Sequence, residues 1–402
     1  MSNDADETPS FNFFSQEFAR CPQPVYAEIR SACPVTRSAF TDQPVLARYE
    51  DVAWALRHPE IFSSAMDLQM ALGTQRPMIP QQIDPPAQTR YRRFLDPHFS
   101  RRKMEALVPS IRRNANALID RFIDAGECEF DEAFAIPLPC AAFLELLGLP
   151  ESDLGLFLEL KDGIIRPQKG HPELESDMEA AKAVRVASGQ RIYEYFEQTI
   201  VERERAGTRR DDLLSAILAG EIDGEKLTQT EILDICFLLL LAGLDTVTAT
   251  LGCNIAYLAG NPQQRRRILE RPELMPGAVE ELMRWETPVT AVPRLVKRDV
   301  EVGGMPIKQG ELVTLLIGAA NTDESRFPGA DNVDFERERN IHMAFGAGPH
   351  RCLGSHLARM ELCVAMEEWH RRIPEYQLKP GETPRFSAGI REVLYLPLVW
   401  ER

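Results

Sequence analysis

The ten residues FGAGPHRCLG, from Phe345 to Gly354, place one cysteine between a glycine-punctuated turn and a long helical pattern. Gly346 and Gly348 remove side chains where the backbone must approach something bulky. The helix predicted after Cys352 directs its free N–H groups and its positive dipole end towards the sulfur, which favours the thiolate. A thiolate held by backbone amides is a good axial metal ligand. The alternative is a buried structural cysteine.

A second group with chemical potential lies in the apolar segment LLLLAGLDTVTAT, residues 238–250. A helix that is apolar on all faces is buried, so Asp245 and Thr246 within it are costly unless they are used. We expect the Thr246 hydroxyl to bond the carbonyl of Ala242, with Gly243 making room in the same turn. An acid and an alcohol at such a groove can bind dioxygen and deliver protons. Alternatively, Asp245 is an inert carboxylate paired with a distant arginine.

The elements that must position these residues are mostly helical. Apolar residues recur at three- and four-residue intervals in 104–126, 181–207, about 230–258, 276–285 and 354–373. Short strands are predicted in 44–49, 294–317 and 393–400. Alternating strands and helices, which indicate a doubly wound parallel sheet, do not occur in this pattern. The fold class is therefore mainly α, of the α+β type, and we expect a disordered tail over 1–10 and a single domain over 11–402.

The composition excludes several classes of protein. A net charge of −15 over 402 residues argues against binding to nucleic acid or to anionic membranes. None of the eight cysteines forms a C-x-x-C pair, which makes zinc ribbons and iron–sulfur clusters poor readings. The longest apolar run, Ile235 to Leu244, is shorter than the roughly 20 residues that span a bilayer. With a polar, acidic N-terminus, this pattern predicts a cytoplasmic protein without a membrane anchor.

The cysteine segment resembles the haem-binding signature of the cytochrome P-450 family, the haem-thiolate monooxygenases. The matched form is Phe-Gly-x-Gly-x-His-x-Cys-x-Gly, with His350 and Gly354 at its fixed positions. The resemblance runs from about Phe11 to the C-terminus and is closest to the soluble bacterial class, including its camphor-hydroxylase branch. It implies a helix-rich triangular prism with small peripheral sheets, haem b as cofactor and Cys352 as the metal ligand. It also implies that Asp245 and Thr246 are the family's acid–alcohol pair.

Further roles follow from the same resemblance. Glu281 and Arg284 in EELMR share a helix face, which by itself predicts only a weak surface contact. In the family this pair is buried with a later arginine, which we predict to be Arg339, with Arg337 as the alternative. The haem propionates are assigned to Arg294, His350, Arg92 and Gln88, where Gln88 replaces a frequent histidine. The other predicted cofactor contacts are Phe345, Gly346, Gly354 and Gly243.

The predicted substrate pocket is apolar, which favours a terpenoid, a steroid or a fatty acid. Its predicted walls are Met78, Ile79, Leu244, Val247, Val289, Val292 and Ile390. Arg76 is the charged residue in the segment that carries Met78 and Ile79. It is either solvated, as most loop arginines are, or turned inward to pair with a substrate carboxylate.

The resemblance implies that O2 is activated with two externally supplied electrons and that a hydrophobic small molecule is hydroxylated. No flavin or nicotinamide fingerprint follows a strand, so the electrons are expected from an iron–sulfur ferredoxin and its NAD(P)H-dependent reductase. Such an acidic partner would dock on a basic cluster, unless that cluster is merely solvated; its residues are Arg90, Arg92, Arg93 and Arg351. The rival readings are a peroxide-driven peroxygenase and a non-catalytic haem carrier or gas sensor.

Overall fold

The computed structural model describes residues 15–32, 35–38, 42–66, 72–169, 171, 174, 177–207, 210–387 and 390–401. These residues form two compact units. The first unit comprises the described parts of Met1–Ser64, Ala115–Ala135 and Thr246–Arg402, and the second unit those of Ala65–Asn114 and Ile136–Asp245. The predicted tail at 1–10 lies outside the described residues, and the single domain over 11–402 stays a prediction.

Helices dominate the described part of the chain. They are α1 (Gln16–Arg20), α2 (Gln23–Ala32), α3 (Tyr49–Arg57), α4 (Ala87–Leu95), α5 (Arg101–Glu105), α6 (Val108–Ile119), α7 (Pro137–Leu147), α8 (Leu154–Ile165), α9 (Met178–Ala206), α10 (Leu213–Leu218), α11 (Gln229–Gly260), α12 (Pro262–Glu270), α13 (Met275–Glu286), α14 (Ile317–Asn321) and α15 (Ser355–Arg372). All five predicted helical segments are confirmed as α6, α9, α11, α13 and α15. The first is shorter than predicted, because the chain turns between α5 and α6 and again after Ile119.

The strands are short. They are β1 (Val35–Arg37), β2 (Pro44–Leu46), β3 (Phe62–Ser63), β4 (Glu127–Glu129), β5 (Glu221–Ile222), β6 (Glu225–Lys226), β7 (Val292–Val296), β8 (Val300–Val302), β9 (Met305–Ile307), β10 (Leu312–Leu315), β11 (Gln377–Leu378), β12 (Arg385–Phe386), β13 (Val393–Tyr395) and β14 (Pro397–Val399). The largest sheet has the order β1-β2-β10-β7-β3, and only its β2–β10 pair is parallel. A mainly α fold with small sheets is therefore confirmed.

The five-stranded sheet fixes the strand that carries a predicted haem contact. In the antiparallel β7–β10 pair, Arg294 stands opposite Val313, whose side chain is completely buried. One face of this sheet packs on α3 in a core that includes Leu46, Val52 and Phe62. The register of β7 is thus set by burial, since a one-residue slip would turn every side chain to the other face.

Helix α11 is long and apolar enough, by length and composition, to cross a membrane. Of its most apolar 18-residue window, 78% is buried within the protein, as in the core helix of a globular protein. Because packing surrounds it, the polar residues that it carries must be paired or must face an open space.

Candidate active site

The segment around Cys352, residues 344–354, is called the cysteine loop. It is folded back on itself by backbone hydrogen bonds. The Cys352 N–H donates to the Phe345 carbonyl at 2.8 Å, and a short helical turn, Gly348–His350, lies between them. Gly348 has φ +67°, and a Cβ there would lie 2.2 Å from the carbonyl oxygen of Leu56 at the end of α3. Glycine is therefore the residue that fits this position, for both conformation and space. Gly346 is also left-handed, with φ +68°, but its nearest neighbour to such a Cβ is 3.8 Å away.

The thiol of Cys352 differs from most of the other described cysteines. Cys352 is exposed, just before α15 begins at Ser355. Burial raises the pKa of Cys128, Cys236 and Cys363 to about 12, so these thiols stay protonated at neutral pH. Among the seven described cysteines, none of which forms a disulfide, only Cys21 is exposed as well. An accessible sulfur at a helix N-terminus, in a glycine-lined loop, fits the axial ligand of a haem iron.

In the first unit, Glu281 is the centre of a buried ion cluster. Arg284 donates to both of its oxygens, at 2.9 and 2.7 Å, and neither side chain is accessible to solvent. The third member is Arg337, whose Nε lies 3.1 Å from Glu281 Oε2. The preferred prediction, Arg339, is wrong, since that residue is exposed. Arg337 is turned inward because its guanidinium also donates to loop carbonyls, including that of Pro328 at 2.8 Å.

Asp245 is paired with two cations in the second unit. Its Oδ1 accepts from Lys161 Nζ at 3.2 Å and from Arg166 Nη2 at 2.9 Å, and the aspartate is 1% exposed. The reading of Asp245 as a carboxylate paired with a distant arginine is thus correct about the pairing. Its Oδ2 accepts no hydrogen bond within the described part of the chain. One oxygen therefore anchors the carboxylate while the other remains available as an acceptor.

A chain of charges leads from Asp245 towards the surface. Asp162 lies 3.2 Å from Lys161, 3.3 Å from Arg166 and 2.8 Å from Lys169, whose side chain is 45% exposed. Burial raises the pKa of Asp162, but Lys161 and the other cations outweigh that effect and the net shift is downward. Sequence analysis missed Lys161, which is completely buried. No local signal distinguishes it from an ordinary surface lysine of α8.

An accessible strip runs along the otherwise buried α11. Ala242 is exposed and Thr246 is half-buried, and their four-residue spacing places them on one face of the helix. The Thr250 hydroxyl donates to the Thr246 carbonyl at 2.7 Å. The bond from Thr246 to Ala242 stays a prediction. At Gly243, a Cβ would lie 2.7 Å from the Phe143 ring, so the missing side chain makes room for packing, and its role beside the cofactor stays a prediction.

The predicted propionate residues are divided between the two units. In the first unit, Arg294 is half-buried and donates to the Pro293 carbonyl at 2.7 Å, and His350 is half-buried in its helical turn. In the second unit, Arg92 pairs with Asp96 at 2.9 Å, and Gln88 is buried on α4. That these four residues meet at one cofactor stays a prediction.

The predicted pocket walls differ in exposure. Leu244 has no accessible surface and Met78 and Val247 are buried, whereas the half-buried ones are Ile79, Val289, Val292 and Ile390. Leu244 points away from the accessible strip of α11, because it is two residues from both Ala242 and Thr246. Gly389, next to the predicted wall residue Ile390, lies outside the described residues. A common pocket formed by these residues stays a prediction.

Arg76 is paired within the second unit, which neither interpretation of the sequence predicted. Its Nε lies 3.0 Å from Asp234 Oδ1 and its Nη2 2.9 Å from the same oxygen, and its guanidinium lies 5.0 Å from the Tyr193 ring centroid. It is thus not simply solvated, and a role towards a substrate carboxylate stays a prediction. Burial raises the pKa of Asp234 and Arg76 lowers it, with a net upward shift. The sequence offers no signal for this pair, whose members are 158 residues apart.

The basic cluster is partly neutralised by acidic neighbours. Arg90 pairs with the exposed Asp223 at 2.6 Å, and Arg92 pairs with Asp96. Arg93 and Arg351 are exposed. The charge that remains for an acidic partner is therefore smaller than the sequence suggests.

Comparison with known proteins identifies the class to which this site belongs. The family model for cytochrome P-450 matches residues 171–273 and 267–385. The mycinamicin IV hydroxylase/epoxidase of Micromonospora griseorubida is 34% identical over 388 residues, covering 93% of this chain and 94% of that protein. The steroid C26-monooxygenase of Mycobacterium tuberculosis is 33% identical over 375 residues, covering 91% and 89%.

Solved structures agree with this assignment. The crystal structure of CYP109E1 from Bacillus megaterium in complex with testosterone superposes with a TM-score of 0.87 at 28% identity, covering 96% of this chain and 100% of that one. The chain therefore belongs to the cytochrome P-450 family. It has the fold of that family, its cofactor is haem, and it is an oxidoreductase that incorporates one oxygen atom. Placement in the camphor-hydroxylase branch stays a prediction.

Proposed function

We propose that this protein is a cytoplasmic haem-thiolate monooxygenase that hydroxylates a terpenoid, a steroid or a fatty-acid-like molecule. Its two electrons come from a separate iron–sulfur ferredoxin and its NAD(P)H-dependent reductase. The observation that carries the proposal is the accessible Cys352 thiol, held before α15 in a loop that Gly348 allows to pass beside Leu56. In a chain of this family, such a thiol is the natural axial ligand.

The residues of the chain have separate tasks in this proposal. Cys352 would hold the iron, and Arg294, His350, Arg92 and Gln88 would hold the propionates, because guanidinium and other donor groups match carboxylate oxygens. The bound haem supplies the activation of dioxygen. The chain supplies the ligand, the orientation of the substrate and a route for protons.

Asp245 is suited to move a proton without leaving its place. Lys161 and Arg166 hold Oδ1, so the carboxylate is anchored while Oδ2 accepts a proton. The neighbouring Thr246 hydroxyl oxygen would then accept this proton, either directly or through water, as the hydroxyl gives up its own proton towards the substrate side, so that both side chains return to their starting state. Asp162 and Lys169 provide the polar connection to the surface from which the proton is replaced.

The relatives support a hydrophobic substrate. Among the similar proteins are a steroid C26-monooxygenase, CYP109E1 in complex with testosterone and the myxobacterial CYP267B1 in complex with myristic acid. The half-buried apolar residues Val289, Val292 and Ile79 suit such a ligand. Because Arg76 already has Asp234 as its partner, an acidic substrate gains no uncommitted guanidinium there.

The substrate class is tested by screening hydrophobic ligands for those that shift the ferric iron from low to high spin, followed by product analysis with a surrogate ferredoxin and reductase.

The proton route is tested by the Asp245→Asn variant. We expect Asp245→Asn to lower the rate of product formation by about 10²- to 10⁴-fold, with ligand affinity unchanged. An Asp245→Asn variant as active as the wild type would refute the proton route.

The electron route has its own test. Arg351→Glu is expected to slow reduction of the iron by ferredoxin and to leave substrate binding unchanged. Equal reduction rates would refute docking at this residue. Turnover with peroxide alone at the rate seen with ferredoxin would instead favour the peroxygenase, which the presence of both Asp245 and Thr246 disfavours.

A further inference from the structure

Four residues in the first unit connect α13 to the cysteine loop; they are Glu280, His342, Arg359 and Phe345, and we call them the Glu280 cluster. Glu280 precedes the buried Glu281 on α13 but makes a separate set of contacts. Arg359, on α15, donates two hydrogen bonds to the Glu280 carboxylate, from Nε at 2.5 Å and from Nη2 at 2.9 Å. This bidentate geometry fixes the guanidinium more firmly than a single contact would.

His342 connects the same carboxylate to the loop backbone. The Ala344 N–H donates to His342 Nδ1 at 3.2 Å, so Nδ1 is an acceptor. The proton of the neutral ring is then on Nε2, which donates to Glu280 Oε2 at 3.1 Å. The imidazole is 2% exposed, which keeps these two bonds out of competition with water.

Arg359 also covers the phenylalanine of the cysteine loop. Its guanidinium carbon lies 4.3 Å from the centroid of the Phe345 ring, within the range of a cation–π interaction. The carbonyl of Phe345 in turn accepts the Cys352 N–H at 2.8 Å. A series of direct contacts therefore runs from Glu280 through Arg359 and Phe345 to Cys352.

The Glu280 carboxylate is ionised at neutral pH. Burial raises its pKa, but hydrogen bonds from His342 and Arg359 outweigh burial and lower the pKa to about 2. The cluster therefore holds a fixed anion and a fixed cation next to the loop.

We propose that the Glu280 cluster positions the cysteine loop, and that the Arg359 guanidinium favours the reduced state of the iron bound to Cys352. The proposal rests on the proposed role of Cys352 as the iron ligand. Arg359 and Glu280 are positioning residues, since they act through Phe345 and the loop backbone. Removing the cation disfavours added negative charge, so the reduction potential moves to more negative values.

The test uses the haem-loaded, full-length protein and four variants. Arg359→Gln removes the cation, Glu280→Gln removes the anchor, and Arg359→Lys keeps the charge without the planar fork. Arg371→Gln is the matched control, because Arg371 pairs on the same helix with the buried Glu368, three turns further on. The readouts are the reduction potential and the rate at which the reduced carbon monoxide complex loses its thiolate spectrum.

We expect Arg359→Gln to shift the potential to more negative values and Glu280→Gln, which removes an anion, to shift it to more positive values. Both should speed the loss of the thiolate spectrum about two- to tenfold, because both break the contacts that position the loop. Arg359→Lys should lie between Arg359→Gln and the wild type, and Arg371→Gln should match the wild type. If Arg359→Gln takes up no haem, the comparison rests on Arg359→Lys and Glu280→Gln.

Two results would overturn the proposal in different ways. Unchanged potentials and decay rates in all Arg359 and Glu280 variants, with a normal thiolate spectrum in the wild type, would refute positioning by the cluster alone. A wild type without the thiolate spectrum would refute the assignment of Cys352, and the cluster's role with it.

Discussion

Replacing Glu281 with glutamine should destabilise the protein strongly, because the carboxylate is the counter-charge of two guanidinium groups. Glu281 and Arg284 are completely buried, and the Arg337 side chain is 9% exposed. The amide of glutamine would keep the size of the side chain but would turn N–H donors towards the arginine donors. The hydrogen bond that the Asn340 amide donates to Glu281 Oε2, at 3.0 Å, would also become weaker.

The magnitude follows from burial. Breaking a buried pair by removing one charge costs about 3–5 kcal/mol, since the partner remains buried and uncompensated. The remaining bonds of Arg284, to the carbonyls of Asn321 and Ala330 at 2.9 and 3.1 Å, satisfy its donors but not its charge. Against a total stability of about 5–15 kcal/mol, this is a large fraction.

The assay is denaturant unfolding of the haem-loaded protein, followed by helical circular dichroism. The matched control is Glu273→Gln, which removes an exposed carboxylate paired with Arg271 at 3.1 Å. We expect a much lower midpoint for Glu281→Gln and no measurable change for the control. Equal midpoints for the two variants would refute the reasoning that the buried cluster holds this part of the core.

Two further changes test the loop geometry and the buried titratable groups. Gly348→Ala forces a side chain into a left-handed position against Leu56 and should lower haem content per polypeptide, whereas Gly304→Ala, at φ +84° with nothing within 4 Å, should not. Equal haem content in both variants would contradict the crowding at Gly348. Burial lowers the pKa of His370 to about 4 from the ordinary 6.5. Between these pH values the unfolded chain therefore binds a proton that the native state does not bind. Stability should therefore fall by up to about 3 kcal/mol as the pH drops from 6.5 towards 4, and less in His370→Gln. Parallel stability–pH curves for the two proteins would contradict this assignment.

Local patterns in the sequence were sufficient for the five predicted helices and for the glycine-lined turn before Cys352. Periodic apolar residues predicted α9, α11 and α15 to within three residues at each end, because burial of one helix face or of the whole helix leaves that pattern. The glycines around Cys352 also reflect local requirements, of which Gly348 is the clearest example.

Contacts between distant segments could not be predicted from the sequence. Arg337, and not Arg339, reaches Glu281 because bonds to loop carbonyls turn its side chain inward, and a loop has no periodicity that reveals this. Likewise Asp234, the partner of Arg76, lies on a helix 158 residues away. The sequence around Lys161 is that of an ordinary surface lysine, and only the contact with Asp245 in the folded protein distinguishes it.

The most direct test of this account is the reduced carbon monoxide difference spectrum of the wild type and of Cys352→Ala. We predict the red-shifted band of a thiolate-ligated haem in the wild type and its loss in Cys352→Ala. Cys21→Ala, which removes the other exposed thiol among the described cysteines, should keep the band. A thiolate band that persists in Cys352→Ala, or is absent from the haem-loaded wild type, would contradict the central claim.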